Sequence, residues 1–522
     1  MTPSSLDTSL RAAVEARAWG DVIALIETHW ALLTQTNHAL LVDAVNALPP
    51  EVLAQNPRFS AARTYANFLP VNGDTRPVRF RYAPTPGPGA LLDVLADLTS
   101  RSVSARFEGN HRQAVAHVRD ALAILEDASD EAMFSIRQVI PDIRVQWAIT
   151  LELAGELVDA NRMYERTFDE ALAVGNRRMA VKSAGSVALN YALAGNRSVA
   201  EQWLKRVPDT SDSESAEHAA IDTVRTTSGL ARALLAANDL RFAEAAAALR
   251  AAPPADVDRE TWALRLHVEA ALARASGRGR AELGKVRTVL ETQPELHRTT
   301  GLNGWLSTTT VAELHMALGD IAAADETIAQ LGAYEPLTAA DPAGVLRSWV
   351  ALRRGNPRKA LLLAASGLAH PFSSQRVRVE LQLVLAAASL MLGVQEDAQN
   401  HVAALMETLV DEKLAIVLLR LTAAEREALL ADHAAALGPR LLKELDRLDD
   451  VVTAPLAASL TERERVVLRY IVQGLGPSEI ATKEHLSRNT IKTQIRSIYR
   501  KLGVADREGI LKVAIASPHL LA

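Results

Sequence analysis

The sequence has no cysteine among its 522 residues. Disulfides, thiol nucleophiles, iron–sulfur clusters and cysteine-type zinc sites are therefore excluded. Aromatic residues make up only 4%, too few for large sandwiches or barrels, whose strands favour aromatic and β-branched side chains. Glycine (26) and proline (22) are also scarce, which argues against a low-complexity chain. The most apolar run, Leu383–Val394, is too short and too alanine-rich to cross a bilayer, and the N-terminus lacks the basic-then-apolar pattern of a secretion signal. The 13 histidines show no H-E-x-x-H spacing, and no G-x-S-x-G occurs. One stretch, GRAELGK at 279–285, matches a phosphate-binding loop by letter. It has Val286 where Ser or Thr is needed and follows a helical run rather than a strand, so a turn between helices explains it better. The expectation is an all-α, cytoplasmic protein that is not an enzyme, needs no cofactor or metal and does not enter membranes.

What the chain does contain is amphipathic helix. Residues 1–70 form an N-terminal helical segment with apolar residues at three- and four-residue intervals. Residues 71–89, rich in proline and glycine, read as a loop. From 90 to 436 one pattern returns: a helix, a glycine, four residues, then an alanine inside the next helix. Gly109/Ala114, Gly155/Ala160, Gly195/Ala200, Gly319/Ala324, Gly355/Ala360 and Gly393/Ala398 match it. Two further members depart, Asn238/Ala243 and Ser276/Ala281, the latter with Gly277 beside it. Glycine takes the left-handed conformation that ends a helix, the Asn, Asp or Glu that often follows suits the next helix start, and alanine permits close helix approach. Such a hairpin cannot bury its own apolar face and must stack on its neighbours. DTSDSESAEH at 209–218 reads as an acidic loop between units.

These turns, GNHRQA, GELVDA, GNRSVA, GDIAAA, GNPRKA and GVQEDA, resemble tetratricopeptide-type repeats. The spacing is looser than that family's period, so the resemblance implies a degenerate α-solenoid; an irregular helical bundle is the alternative. Trp262 and Trp305 occupy equivalent places before two turns. They read as core residues first and as a possible effector surface second.

Residues 437–459 supply a connecting helix and linker, after which composition shifts. The whole chain carries a net −5, which by itself signals no nucleic-acid partner. Residues 460–514, however, hold 11 Lys and Arg against 6 Asp and Glu, leaving 46 against 56 elsewhere. A module of +5 is thus joined to a body of −10. Thr461 with Glu464 fits a capping box, Gly474 and Gly476 close that helix, and Pro477 suits the start of a second. Ser487 caps a third helix that Gly503 ends, and Asp506 opens a fourth. The third helix carries Ile491, Ile495, Ile498 and Leu502 on one stripe, with Asn489, Lys492, Thr493, Arg496 and Arg500 on the other. Between 487 and 502 there are five cations and no acid. Such a face on a capped helix after a short helix and tight turn suits a phosphate-lined major groove better than bulk solvent.

The residues LTERE, EIA, Ser487, NTIK, IYRKLGV and Asp506-Arg507 resemble the LuxR-type (NarL/FixJ-like) helix-turn-helix family, most closely its MalT-like branch. The larger regulators of that branch also carry helical repeats and an ATPase module, and the latter has no counterpart here. The resemblance implies a DNA-binding transcriptional regulator in which Lys492, Thr493 and Arg496 reach base edges. Ser478, Arg488, Asn489, Thr490, Arg500 and Lys501 would hold phosphates. It also implies double-stranded DNA as partner, a homodimer on DNA joined through Ile510, Leu511 and Val513, and RNA polymerase as a candidate contact. Packing on the module's own core accounts equally for some of those three side chains. The repeats would sense a protein, peptide or small-molecule effector; a protein-interaction scaffold with a basic tail is the alternative. Two departures stand out: Gln494 replaces the family's usual histidine, and Glu484 stands at a usually apolar, inward position, so the second helix must end early or the carboxylate must find a cation.

Overall fold

The computed structural model describes residues 3–36, 38–56, 59, 63, 91–207, 226–252, 262–330, 342–370, 373–448 and 460–502, with Arg507, Ile510, Leu511 and Ala514. The expected loop at 71–89, the acidic stretch at 209–218, Gly503, Asp506 and Val513 lie outside the described residues. Among those described the protein is all-α, without a strand.

Helices Pro3–Glu15, Trp19–Thr36, His38–Ala47 and Pro50–Gln55 enclose their own core of Leu6, Leu10, Val22, Ile26, Leu41 and Val45. Eight helix hairpins follow among the described residues, from Leu91–Phe107 with His111–Glu126 to Gln375–Met391 with Gln395–Asp411. The first helix of each packs on the first helix of the next, which makes the stack an α-solenoid. First helices are therefore enclosed on most sides: in Arg177–Leu193, residues from Met179 through Ala192 are almost all buried. Second helices keep a solvent face.

The repeating turn works as its composition implies. At 195 the Gly195 amide donates to Ala192 O (3.2 Å) and the Asn196 amide to Tyr191 O (2.9 Å), with Gly195 at φ 79°. The side chains of Asn110, Asn196, Asp320 and Asn356 each accept from the amide three residues on, at 3.1–3.2 Å. Ala114, Ala160, Ala200, Ala324, Ala360 and Ala398 are all fully buried.

Two expected turns fall in a different register. At the fourth hairpin the left-handed residue is Leu240 (φ 56°), not Asn238, and the buried alanine five residues on is Ala245, while Ala243 is exposed. A leucine occupies this position because its side chain is buried in the core. At the fifth, Gly277 (φ 67°) turns the chain rather than Ser276, and Ala281 is exposed. A further turn of the same type, Gly175 with buried Ala180, joins one hairpin to the next. The letters GRAELGK lie at the start of helix Gly279–Thr292, as a turn between helices requires.

The solenoid also touches itself across large sequence distances. The Arg376 amide donates to Ala194 O (3.0 Å) and its Nε to Leu193 O (3.1 Å). Arg440 Nη2 reaches Asp239 Oδ1 at 2.6 Å. Between these layers lies a charged seam in which Arg420 meets Glu313 (2.5 Å) and Glu380 (2.9 Å), and Arg274 meets Glu313 (3.3 Å). Burial pushes the Glu313 pKa up, but Arg274 and Arg420 outweigh it and hold the group at about 2. Burial lowers His267, whose Nδ1 lies 3.1 Å from Thr310 Oγ1, to about 4. Leu437, Leu441, Leu445 and Leu448 pack in the same core as the last hairpins, so the connecting helix rests on the repeats.

Candidate nucleic-acid interface

Three helices, Glu462–Val472, Pro477–Lys483 and Arg488–Leu502, build the C-terminal module. Its first helix opens on a capping box: the Thr461 amide donates to Glu464 Oε2 (2.7 Å), and the Glu464 amide to Thr461 Oγ1 (3.3 Å). Gly474 ends it at φ 101°. Pro477 occupies the first turn of the second helix, where its missing donor costs nothing, and the Gly476 amide donates to Glu479 Oε2 (2.6 Å).

The second helix stops at Lys483, with the Leu486 amide bonded to Ala481 O (3.0 Å) and His485 left-handed at φ 53°. That early stop resolves the awkward Glu484, which leaves the inward row and partners Tyr470. Its hydrogen bond to the tyrosine hydroxyl holds that group above its ordinary pKa. Lys483 Nζ lies 5.2 Å above the same ring. Ser487 then caps the third helix, its Oγ accepting from the Thr490 amide at 3.0 Å.

The third helix separates its two stripes as its period requires. Ile491 and Ile498 are fully buried against Val467, Leu468, Ile471 and Ile480, and Ile495 is half-buried. Lys492, Thr493 and Arg496 stand exposed on the other side with Arg488, Asn489 and Thr490; Ser478 is exposed at the start of the second helix. Among the described residues Arg488, Lys492 and Arg496 form no ion pair. The span from 488 to 496 is about 12 Å at 1.5 Å per residue, close to the roughly 12 Å width of a major groove. Arg500 and Lys501 lie on the same helix, but their side chains fall outside the described residues.

Two positioning contacts escaped the reading of the sequence. Ser497 Oγ donates to Glu464 Oε1 at 2.8 Å, and Arg507 Nη2 to Ile471 O at 3.0 Å. Glu464 is buried; asking what a buried cap carboxylate must pair with would have pointed to a hydroxyl on the facing helix. Ile510, named as a pairing residue, is instead fully buried in the module's core, because so small a core uses it as a lid; Leu511 is half-buried. In the repeats, Trp262 is buried in the core and Trp305 packs between two apolar clusters. The structure places both in packed seams rather than on an open surface. Among the described residues no group of three or more acidic or histidine side chains could hold a metal ion, and no helix is long and apolar enough to cross a membrane.

Comparison with known proteins bears on this module. Residues 458–514 match the family GerE, "Bacterial regulatory proteins, luxR family". Two curated relatives, both "Probable transcriptional regulatory protein NarL" from Mycobacterium tuberculosis strains CDC 1551 / Oshkosh and ATCC 25618 / H37Rv, are each 39% identical over 62 residues. The match covers 12% of this chain and 29% of each relative. A solved structure, "Crystal structure of APC/C hetero-tetramer Cut9-Hcn1", aligns over 86% of this chain and 96% of that one, at 13% identity and a TM-score of 0.32; at that level it carries no argument. The C-terminal module is similar to a LuxR-family regulatory domain, joined here to a helical-repeat body.

Proposed function

We propose that the chain is a sequence-specific DNA-binding transcriptional regulator of the bacterial cytoplasm. The observation that carries this reading is the exposed cationic row of Arg488, Lys492 and Arg496, without ion pairs among the described residues and fixed in roll by the buried Ile491 and Ile498 and by the Ser487 cap. Helix 488–502 enters the major groove, with Lys492, Thr493 and Arg496 toward base edges. Ser478, Arg488, Asn489, Thr490, Arg500 and Lys501 hold phosphates. The division into segments 1–70, 90–436, 437–459 and 460–522 then has a functional sense: a sensing body, a connection and a reader. Two readers pair on two half-sites through Leu511 and Val513, with Ile510 supporting them from inside. The repeats receive the effector, and RNA polymerase is the candidate downstream contact.

Selection of bound duplexes from random sequence with the full chain, followed by salt titration, tests the reading. Saturable, sequence-selective binding whose affinity falls steeply with salt supports it. Binding that is weak and indifferent to sequence returns the scaffold alternative.

A further inference from the structure

A cleft of about 560 Å³ lies between the turn at Leu240–Glu244 and the helix at 439–448 that closes the body. It is within the usual range for small-ligand sites, roughly 300–1,000 Å³. Its charged lining carries four cations, Arg241, Arg440, Lys443 and Arg447, against two carboxylates, Glu244 and Glu444. Arg440, Lys443 and Arg447 project from one face of the closing helix at i, i+3 and i+7, and Arg241 faces them from the turn. The guanidinium groups of opposite walls already converge on one oxyanion: Arg241 Nε and Arg440 Nη2 lie 2.9 and 2.6 Å from the buried Asp239 carboxylate. Arg447 pairs with Glu444 of its own helix (2.6 Å). Lys443 is exposed and forms no ion pair among the described residues. Arg241 also pairs with Glu244, and Arg440 Nη1 donates to Asp239 O (3.2 Å), so among the described residues Lys443 is the cation of the lining without a carboxylate partner.

On the turn side, Leu240 and the half-buried Phe242 add an apolar edge. Leu240 is also the turn residue that departs from glycine, held left-handed where a glycine would leave the wall bare. A cleft with more cations than carboxylates, an unpaired lysine and an aromatic edge suits a small organic anion, a phosphate or carboxylate carried on an apolar or aromatic group. Its position matters as much as its chemistry. A ligand here bridges the repeats to the helix after which only residues 449–459 precede the DNA-reading module.

We propose that this cleft is the effector site, and that its ligand is a small aromatic or apolar phosphate or carboxylate. The proposal rests on the reading of the chain as an effector-controlled regulator. Calorimetric titration of the full chain with phenyl phosphate, inorganic phosphate and benzyl alcohol tests it. Phenyl phosphate is expected to saturate one site, with inorganic phosphate at least tenfold weaker and benzyl alcohol not binding. Lys443→Glu and Arg447→Glu, both at exposed positions, should weaken phenyl phosphate at least tenfold. Lys359→Glu, exposed elsewhere on the repeats, should leave it unchanged. Absence of saturable binding at millimolar phenyl phosphate, or binding that ignores Lys443→Glu, overturns the proposal. A parallel duplex titration keeps the two readings apart. Duplex binding without phenyl phosphate binding removes the site and leaves the regulator; the reverse removes the regulator and leaves the site. If Lys443→Glu weakens duplex binding but not phenyl phosphate, the cleft contacts DNA backbone and the effector assignment is wrong.

Discussion

Ser497 donates to the Glu464 carboxylate at 2.8 Å, so the cap of one helix is tied to the flank of Arg488–Leu502. Glu464 also serves its own capping box, and its two oxygens therefore hold two helices at once. Ser497→Ala removes one hydrogen bond from a buried carboxylate. The expected cost is about 1–3 kcal/mol, read as faster amide exchange across 462–502 in the full chain, with exchange in the repeats unchanged.

Arg496→Ala should cost about 1–3 kcal/mol of discrimination at one base position. Arg488→Ala should instead weaken all duplexes alike and lower the salt slope by about one. Anisotropy titrations on matched and mismatched duplexes at several salt concentrations separate the two patterns. Equal, sequence-independent losses for both variants would remove the base-reading role from Arg496.

The two turns Gly195 and Gly355 share a positive φ but differ in what surrounds them. A Cβ on Gly195 would lie 2.8 Å from the Arg376 amide nitrogen, whereas one on Gly355 meets nothing within 4 Å. Gly355→Ala should therefore cost only the left-handed penalty, about 1–2 kcal/mol. Gly195→Ala should cost clearly more, because the obstacle is backbone from a distant hairpin. Urea midpoints of the two variants give the comparison.

Left-handed residues other than glycine give a second contrast. His485 is exposed in its turn, so His485→Gly relieves the backbone without removing packing. A net gain of about 0.5–1 kcal/mol is expected after the extra freedom given to the unfolded chain. At Leu240 the same exchange removes a buried side chain, worth about 2–5 kcal/mol, and should destabilise. Thermal unfolding of both variants tests the opposite signs.

Acid should weaken the body in two stages. His267 has its folded pKa lowered to about 4 from 6.5, so below pH 6.5 the unfolded chain gains a proton that the folded one refuses. Stability falls from there through pH 4. Glu313, held at about 2 against 4.5, adds stability that is full above pH 4.5 and lost on descent toward pH 2. That second loss is on the order of 3 kcal/mol. Urea midpoints between pH 7 and pH 4 should slope downward, and His267→Gln should flatten the part between pH 6.5 and pH 5.

What could be read from the letters was local. Gly109 and Ala114 stand five apart, and that spacing alone locates a turn and a buried contact. The outward row of Lys492, Thr493 and Arg496 follows from the helical period. Leu240 escaped because a leucine at a left-handed position has no signature until its φ is known. Arg376 beneath Gly195 escaped for another reason: its residue type fits an exposed helix start, and only the winding of the solenoid brings the two together. Glu484 is an anomaly already in the letters, but the early end of its helix depends on His485, left-handed at φ 53°, which the turn tolerates rather than prefers.

An open array of hairpins touches only nearest neighbours and frays from its ends. Here Arg376 grips Leu193 and Ala194, and Arg440 grips Asp239, so the late hairpins hold the early ones closed. Loss of the last hairpin therefore uncovers surface in the middle of the chain rather than at its tip. The body is therefore expected to melt as one cooperative unit, because contacts at its C-terminal end hold backbone nearly two hundred residues upstream.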